Sequence, residues 1–143
     1  MDIPGKNSFN QACLLQRHTE EYAKTCRKLK IPAPCRRFME SLTLRTIEVS
    51  YQSLSDIDVK AMLITLQANV YVKNLVLRVN RIGDKLAQHL FRFLKKNSCI
   101  QVLDLSQNEL SNFTFVKLGE AVEENSTLTE LSLSGNGYFE NWF

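Results

Sequence analysis

The sequence predicts an α/β fold: a solenoid of repeated units with parallel strands on the concave face, helices on the convex face and an N-terminal helical cap. Three sets of residues recur with a spacing of 28 positions. The strand leucines are Leu75, Leu103 and Leu131, and the residues at the strand exits are Asn80, Asn108 and Asn136. The helix positions are Met62, Leu90 and Leu118. Such a period is the signature of stacked units that bury their apolar faces against one another.

The rest of the unit repeats as well. Apolar residues precede the strands at Leu44, Val72, Ile100 and Leu128, and a weaker first copy has Ile47, Val49 and Gln52. The segment from Asn80 to Asp84, followed by Ala87 and Leu90, resembles the ribonuclease-inhibitor type of leucine-rich repeat. The resemblance covers residues 44–143. The chain is also similar to intracellular leucine-rich repeat proteins, some of which are ciliary. By this resemblance it would be a truncated or short form of such a protein.

The chain divides into a tail, a cap and the repeats. Residues 1–7 are expected to be disordered, residues 8–43 to form the cap, and residues 44–71, 72–99, 100–127 and the partial unit 128–143 to form the repeats. Ser8 and Gln11 read as a capping box that opens a helix near Phe9. The apolar stripe of that helix is Leu15, Tyr22, Cys26 and Leu29. We call each repeat unit of the stack a rung, and this stripe is expected to cover the first rung at Ile47.

Charge and composition exclude several classes of protein. The 143 residues carry a net charge of +3, and the basic excess lies in residues 17–45. Its cluster is Lys24, Arg27, Lys28, Lys30, Arg36 and Arg37. The cluster lacks a nucleic-acid-binding signature, so a solvated surface is favoured over an acidic protein partner or phosphate, and no nucleic acid is expected. Without a long apolar run or a secretory signal, the chain is predicted to be cytoplasmic, with no membrane association and reduced cysteines.

Geometry predicts an open binding face. Parallel strands stack about 4.8 Å apart whereas helices pack about 8–10 Å apart, so the stack should bend with its strands on the concave side. Outward strand positions and rim residues then form the candidate protein-binding set Arg45, Glu48, Tyr51, Lys73, Arg78, Gln101 and Asp104. By resemblance, this repeat type binds proteins through that face. The simpler interpretation, that these are solvated strand residues, stays open at this point.

The recurring amides are predicted to be structural. Gln52, Asn80, Asn108 and Asn136 stand where the chain turns after each strand, and a buried amide there can bond to the backbone of adjacent turns. Asn69, Asn97 and Asn125 stand at the helix ends, where asparagine tolerates the left-handed conformation.

Catalytic chemistry is not indicated. No nucleophile and base pair, nucleotide-binding glycine pattern or metal-ligand spacing is present, so the chain is predicted to be a non-catalytic protein-interaction module without cofactors or metals. One alternative comes from resemblance: Ran-type GTPase-activating proteins use a related repeat and present a loop residue to the nucleotide. Arg81 lies in the corresponding turn and would stabilise phosphoryl-transfer charge.

The repeat pattern breaks off after Asn136. The last residues include four aromatics, Tyr138, Phe139, Trp142 and Phe143. They are expected either to fold back over Leu118 and Val122 or to leave an open edge that self-associates, and the open edge is favoured because natural proteins normally cover such edges.

Overall fold

A computed structural model describes residues 6–137, with side chains from Phe9 onward. Four short strands alternate with helices over this range. The elements are α1 Lys6–Lys28, α2 Arg36–Glu40, β1 Thr46–Glu48, α3 Asp56–Leu66, β2 Asn74–Val76, a 3-10 turn Asp84–Leu86, α4 Ala87–Lys96, β3 Val102–Asp104, α5 Asn112–Glu124 and β4 Glu130–Ser132. The C-terminal aromatics Tyr138, Phe139, Trp142 and Phe143 lie outside the described residues, as do residues 1–5 of the predicted tail.

Helix α1 begins earlier than predicted. It starts at Lys6 and not near Phe9, so Ser8 lies inside the helix and does not cap it. The helix ends where Lys30 takes the left-handed conformation with φ 60°. The N–H of Ile31 then donates to the carbonyl of Cys26 at 2.9 Å, which satisfies one of the free carbonyls of the last turn.

Helix α1 also packs elsewhere than predicted. It lies along α3, the helix of the first repeat, while the short helix α2 adjoins β1. The rings of Tyr22 and Phe38 are 4.7 Å apart between α1 and α2, and both residues are buried. Phe38 and Leu42 therefore lie closer to the first strand than the stripe on α1 does. A long amphipathic helix finds more apolar area along another helix than across a three-residue strand.

The sheet is parallel, with strand order β1-β2-β3-β4. Its register equals the sequence repeat, so Leu75 pairs with Ile47 on one side and with Leu103 on the other. Backbone pairing continues past the strand ends, for example from the N–H of Leu77 to the carbonyl of Asp104 at 2.8 Å. The mixed α/β architecture and the parallel sheet are thus confirmed, whereas the curvature of the sheet stays a prediction.

The core follows the predicted alternation in the first three rungs. The inward strand residues with no exposed surface are Ile47, Val49, Leu75, Leu77, Leu103 and Leu105. Leu131 and Leu133 of the last described strand are only partly buried. Two expected core positions are exposed, Leu44 at 53% and Val122 at 36%. Leu42 is buried beside the first rung where Leu44 is not, and Val122 lies on α5, the last described helix.

The strand-exit asparagines connect each turn to the preceding one. Oδ1 of Asn108 accepts the N–H groups of Asn80 and Ile82 at 3.1 and 3.2 Å. Its Nδ2 donates to the carbonyls of Leu77 and Leu105, both at 3.0 Å. Asn80 and Asn136 make the same set of bonds one unit earlier and one unit later. These buried amides satisfy turn backbone that no strand pairing reaches.

Gln52 does not take part as predicted. Its side chain is exposed, and Nε2 reaches only the carbonyl of Ser50 in its own turn at 3.3 Å. The asparagine bonds run to the preceding turn, and the first repeat has no preceding turn of this kind. The backbone N–H of Gln52 is itself satisfied by Oδ1 of Asn80 from the next repeat.

The asparagines at the helix ends also connect successive repeats through hydrogen bonds. They do so through their side-chain amides and not through the left-handed backbone that was predicted. Asn97 and Asn125 have extended backbones, with φ −75° and −98°. Oδ1 of Asn97 accepts the N–H groups of Cys99 and Ile100, and Nδ2 reaches the carbonyl of Leu66 in the preceding helix at 3.4 Å. Asn69 and Asn125 repeat the pattern. The predicted left-handed conformation was therefore wrong, and the amide itself satisfies the backbone.

Candidate protein-binding surface

The strand face presents the seven predicted residues on three neighbouring rungs. The 28-residue register aligns Arg45, Lys73 and Gln101 in one row beside the strand starts, and Glu48 and Asp104 in a second row. Arg45, Glu48, Tyr51 and Arg78 are exposed, while Lys73, Gln101 and Asp104 are half-buried. We call these seven residues the strand-face set. Glu48, Arg78 and Asp104 share the outer side of the sheet because strand side chains alternate. The others flank the strands: Arg45, Lys73 and Gln101 directly precede them, and Tyr51 lies in the turn after β1.

The first row is held on a rigid backbone. The N–H of Lys73 donates to the carbonyl of Arg45 at 2.8 Å, and that of Gln101 to the carbonyl of Lys73 at 2.7 Å. Across this row the guanidinium of Arg45 reaches Oε1 of Gln101 at 3.4 Å. The side chains are long, with Arg45 exposed and Lys73 and Gln101 half-buried, while their attachment points are fixed by the sheet.

Arg78 is oriented by a polar network that the sequence did not reveal. Its Nε donates to Oγ of Ser106 at 3.0 Å and lies 3.7 Å from Oδ2 of Asp104. The hydroxyl of Ser106 donates to Oδ1 of Asp104 at 2.6 Å. Ser106 occupies an outward strand position, yet it is only 2% exposed, with its hydroxyl hydrogen-bonded to both Arg78 and Asp104. With Nε engaged and the side chain 48% exposed, part of the guanidinium faces solvent.

Tyr51 stands at the rim on an unusual backbone. Its side chain is 75% exposed, and its φ is 58°, in the left-handed region. Its N–H donates to the carbonyls of Arg78 and Val79, both at 3.2 Å. The same left-handed position recurs after each strand at Val79, Gln107 and Gly135. At Gly135 a Cβ would come within 2.8 Å of Cγ of Gln107, so that position favours glycine.

The opposite end of the strands carries an acidic cleft around the helix starts. Asp56 accepts the N–H of Gly83 from the next repeat, and Asp84 accepts the N–H and hydroxyl of Ser111 and the hydroxyl of Thr114. Burial raises the pKa of Asp56 even though the Gly83 N–H opposes this. For Asp84 burial also raises the pKa, but the hydrogen bonds from Ser111 and Thr114 outweigh it, so the net pKa is lowered.

These aspartates connect consecutive repeats, and sequence reasoning missed them. Their 28-residue spacing was the signal that could have found them. Arg81 is exposed in the same turn, and the cleft beside it is lined by Asp56, Asp84 and Glu109 as well as Lys85. Three carboxylates beside Arg81 disfavour an approaching nucleotide phosphate, so no observation favours the predicted GTPase-activating alternative.

Groups with catalytic potential are buried for structural reasons. Burial raises the pKa of Tyr22, whose hydroxyl accepts the N–H of Cys35 at 3.2 Å, and also raises the pKa of the Cys26 thiol. Burial lowers the pKa of His18 and of His89. Among residues 6–137 no three His, Cys, Asp or Glu side chains are grouped to hold a metal ion. No helix in that range has the length and apolar character needed to cross a membrane.

Comparisons with known proteins agree with the repeat geometry. A family model described as leucine-rich repeat matches residues 96–112 and 124–141. Human tropomodulin-4 is 32% identical over 87 residues, which are 59% of this chain and 25% of that protein. Mouse tropomodulin-4 is 31% identical over the same length. The matched region thus spans about a quarter of these relatives.

Two solved structures share the fold. The structure of leiomodin-1 actin-binding site 2 matches with a TM-score of 0.66 at 23% identity, covering 73% of this chain and 65% of that one. The tropomodulin C-terminal domain of Caenorhabditis elegans matches with a TM-score of 0.61 at 13% identity, covering 69% and 63%. With the 28-residue register and the asparagine ladder, the family model shows that the chain contains leucine-rich repeats, and the solved structures share its fold.

Proposed function

We propose that the chain is a non-catalytic protein-binding module that holds a protein partner through its strand face and the rim at Tyr51. The observation that carries this proposal is the strand-face set, seven exposed or half-exposed side chains in register on three rungs. The set contains three basic residues, two acidic residues, an amide and a tyrosine. Mixed charge with an aromatic anchor suits a protein surface better than a polyanion.

The strand face offers a preorganised surface. Its backbone is fixed by parallel pairing, and the network of Asp104 and Ser106 limits the motion of Arg78. Tyr51 has a rigid side chain on a turn whose N–H is bonded. Both features lower the ordering cost of association, which otherwise weakens binding. The expected bend of the stack would make this face concave.

Actin is the partner to test first. The solved relative leiomodin-1 contributes an actin-binding site that shares this fold, and the likeness at 23% identity supports the architecture alone. A module of this kind would act in the cytoplasm on the cytoskeleton, and the resemblance to ciliary leucine-rich repeat proteins is compatible with that location.

The experiment measures the affinity of the purified chain for monomeric and filamentous actin by fluorescence anisotropy and co-sedimentation. Arg78→Glu and Tyr51→Ala should each weaken binding about tenfold or more, because they remove a charge match and an aromatic anchor that the partner would cover. Lys24→Glu on α1 is the matched control: it has the same charge change as Arg78→Glu, on an exposed residue away from the strand face, and should leave the affinity within about twofold. Binding that is equal in all variants would refute the strand face, and absent binding would refute actin as the partner.

A further inference from the structure

We propose that the groove between α3 and α4 is a second protein-binding site, which takes an acidic, amphipathic helical segment of a partner. The groove lies on the helix side of the molecule, away from the strand-face set, and has a volume of about 410 Å³. This volume is within the range of about 300–1,000 Å³ typical of binding clefts. Residues that line the groove include Lys60, Ile64, His89, Arg92, Phe93 and Lys96.

The rims of the groove carry one sign of charge. Lys60, Ile64 and Gln67 are spaced four and three residues apart, so they share one face of α3 and its C-terminal end. His89, Arg92 and Lys96 are spaced three and four apart on the facing side of α4. Among the side chains described, residues 9–137, no carboxylate lines the groove. A partner that lies between these two rows therefore meets basic groups on both sides.

The neighbouring groove shows what charge compensation looks like in this molecule. Lys95 on α4 pairs with Glu124 on α5 at 3.2 Å, and Lys117 pairs with Glu120 within α5 at 3.8 Å. The ammonium groups of both lysines also lie 5.0 and 5.6 Å from the centre of the Phe91 ring. Carboxylates and a ring thus satisfy the basic groups of that groove from within the chain.

The groove between α3 and α4 has no such compensation. Within residues 6–137, Lys60, Arg92 and Lys96 form no salt bridge and no side-chain hydrogen bond. Burial lowers the pKa of His89, and the charges of Lys60 and Arg92 lower it further. Two adjacent grooves on the same helix α4 therefore differ: one is neutralised internally, and the other presents uncompensated positive charge around an apolar floor. Carboxylates from a partner are the complementary chemistry.

The apolar part of the groove favours a protein segment over a polyanion or a lipid surface. Ile64 is 49% exposed on the rim, whereas Leu63 and Phe93 form the floor at 3% and 4% exposure. A nucleic acid backbone would gain nothing from this floor, because its affinity comes from phosphate contacts. A membrane needs a protruding apolar face, and here the apolar atoms lie between two helices.

A helix fits the groove in length and spacing. The basic rows extend over about two helical turns, or roughly 10 Å. Grooves between parallel helices accept helices that present anchors at positions i, i+3 or i+4, and i+7. The expected occupant places such anchors on Ile64 and Phe93 and carries Asp or Glu on both flanks, toward Lys60 and toward Arg92.

The test uses a displayed library of random peptides of about 16 residues, long enough for helices of about four turns. It is selected in parallel against three forms of the full chain. They are the wild type, the double variant Lys60→Glu with Arg92→Glu, and the double variant Lys24→Glu with Arg27→Glu. The last is the matched control, since it makes the same change in net charge on exposed residues of α1. Circular dichroism checks that all three forms unfold alike.

Wild type and control should enrich the same peptides, with Asp or Glu beside apolar residues spaced three and four apart. Their affinities should fall about tenfold or more in the groove variant and change less than about twofold in the control. Bound carboxylates should also raise the pKa of His89, seen by NMR titration of its imidazole with and without peptide.

Three outcomes would overturn the proposal. The first is enrichment that the groove variant leaves intact. The second is equal binding of scrambled peptides that keep the charge and lose the apolar spacing. The third is tighter binding of duplex DNA or phosphatidylserine vesicles at physiological salt, again lost in the groove variant. Because none of these involves Arg78 or Tyr51, failure here is distinguishable from failure of the strand-face proposal.

Discussion

The turns after β1 and β3 have the same backbone pattern and very different surroundings. Asn108, after β3, is buried, and its amide joins two consecutive turns: Oδ1 accepts two N–H groups and Nδ2 donates to three carbonyls. Gln52, after β1, is exposed and reaches only its own turn. The backbone of the first turn is nevertheless satisfied, because Asn80 of the second repeat supplies the amide. Each turn therefore depends on the repeat that follows it, and the cost of a substitution should depend on its position in the stack.

The largest expected difference in the free energy of unfolding is between variants of the inward-facing leucines. Leu105 has no exposed surface and has rungs on both sides, whereas Leu133 on the last described strand is partly buried. Leu105→Ala should lower the free energy of unfolding by about 2–5 kcal/mol, as large-to-small core changes do. Leu133→Ala should cost clearly less, because its surroundings can relax. Denaturant titration of both variants checks this, and a cost below about 1 kcal/mol at Leu105 would contradict the rung assignment.

The amide ladder should show the next largest contrast. Asn108→Ala leaves the buried N–H groups of Asn80 and Ile82 without their acceptor and should cost about 2–4 kcal/mol. The carbonyls of Leu77 and Leu105 each lose one of two amide donors. Gln52→Ala removes one exposed bond and should change stability by less than about 0.5 kcal/mol. Both losses are measured by thermal and chemical unfolding. Equal losses in the two variants would contradict the inference that the buried amide of Asn108 stabilises the preceding turn more than Gln52 stabilises its own.

The two aspartates at the helix starts, Asp84 and Asp56, should affect the pH dependence of stability in opposite ways. The pKa of Asp84 is lowered from 3.8 in the folded chain, so its contribution is present above that pH and is lost as the pH falls through the folded value. Asp84→Asn should cost about 1–2 kcal/mol at neutral pH, because it weakens hydrogen bonds to a charged group, and should flatten the loss of stability below about pH 4.

Asp56 has the opposite sign and serves as the comparison. Its pKa is raised in the folded chain, so the folded state takes up its proton first and gains stability as the pH falls through that raised value. Asp56→Asn should therefore steepen the acid loss where Asp84→Asn flattens it. Unfolding free energies measured across pH 2–7 for both variants test the signs, and parallel curves would contradict them.

The smallest expected effect lies in the left-handed turn positions. Val79 holds φ at 51°, which is unfavourable for a β-branched residue, whereas Gly135 occupies the same position of the last described turn. Val79→Asn should raise the stability by about 0.5–1 kcal/mol, because asparagine tolerates this conformation. Thermal unfolding measures the gain. A loss of more than about 1 kcal/mol would mean that the half-buried valine side chain contributes more packing than its backbone costs.

The spacing of like residues, by itself, determined the rungs. Because every unit has the same length, Leu75 and Leu103 fall at the same depth and pair directly, and the alternation of strand side chains places Arg78 and Asp104 on the outer face. The strand-exit role of Asn80 and Asn108 followed from the same reasoning, since the turns recur and their backbone needs partners.

The contacts between side chains of neighbouring repeats were known only from the tertiary structure. The reach of Asp84 to Ser111, the bond of Asn97 to Leu66 and the burial of Ser106 beneath Arg78 each join residues that are 27 to 31 positions apart in the sequence. The packing of α1 along α3 is of the same kind. So is the pairing of Lys95 with Glu124, while Arg92 has no counterion among the residues that the structure describes. Local propensity and periodicity determine which face a side chain takes. The residue that a side chain contacts on that face is determined by which residue of the neighbouring repeat lies at the equivalent position.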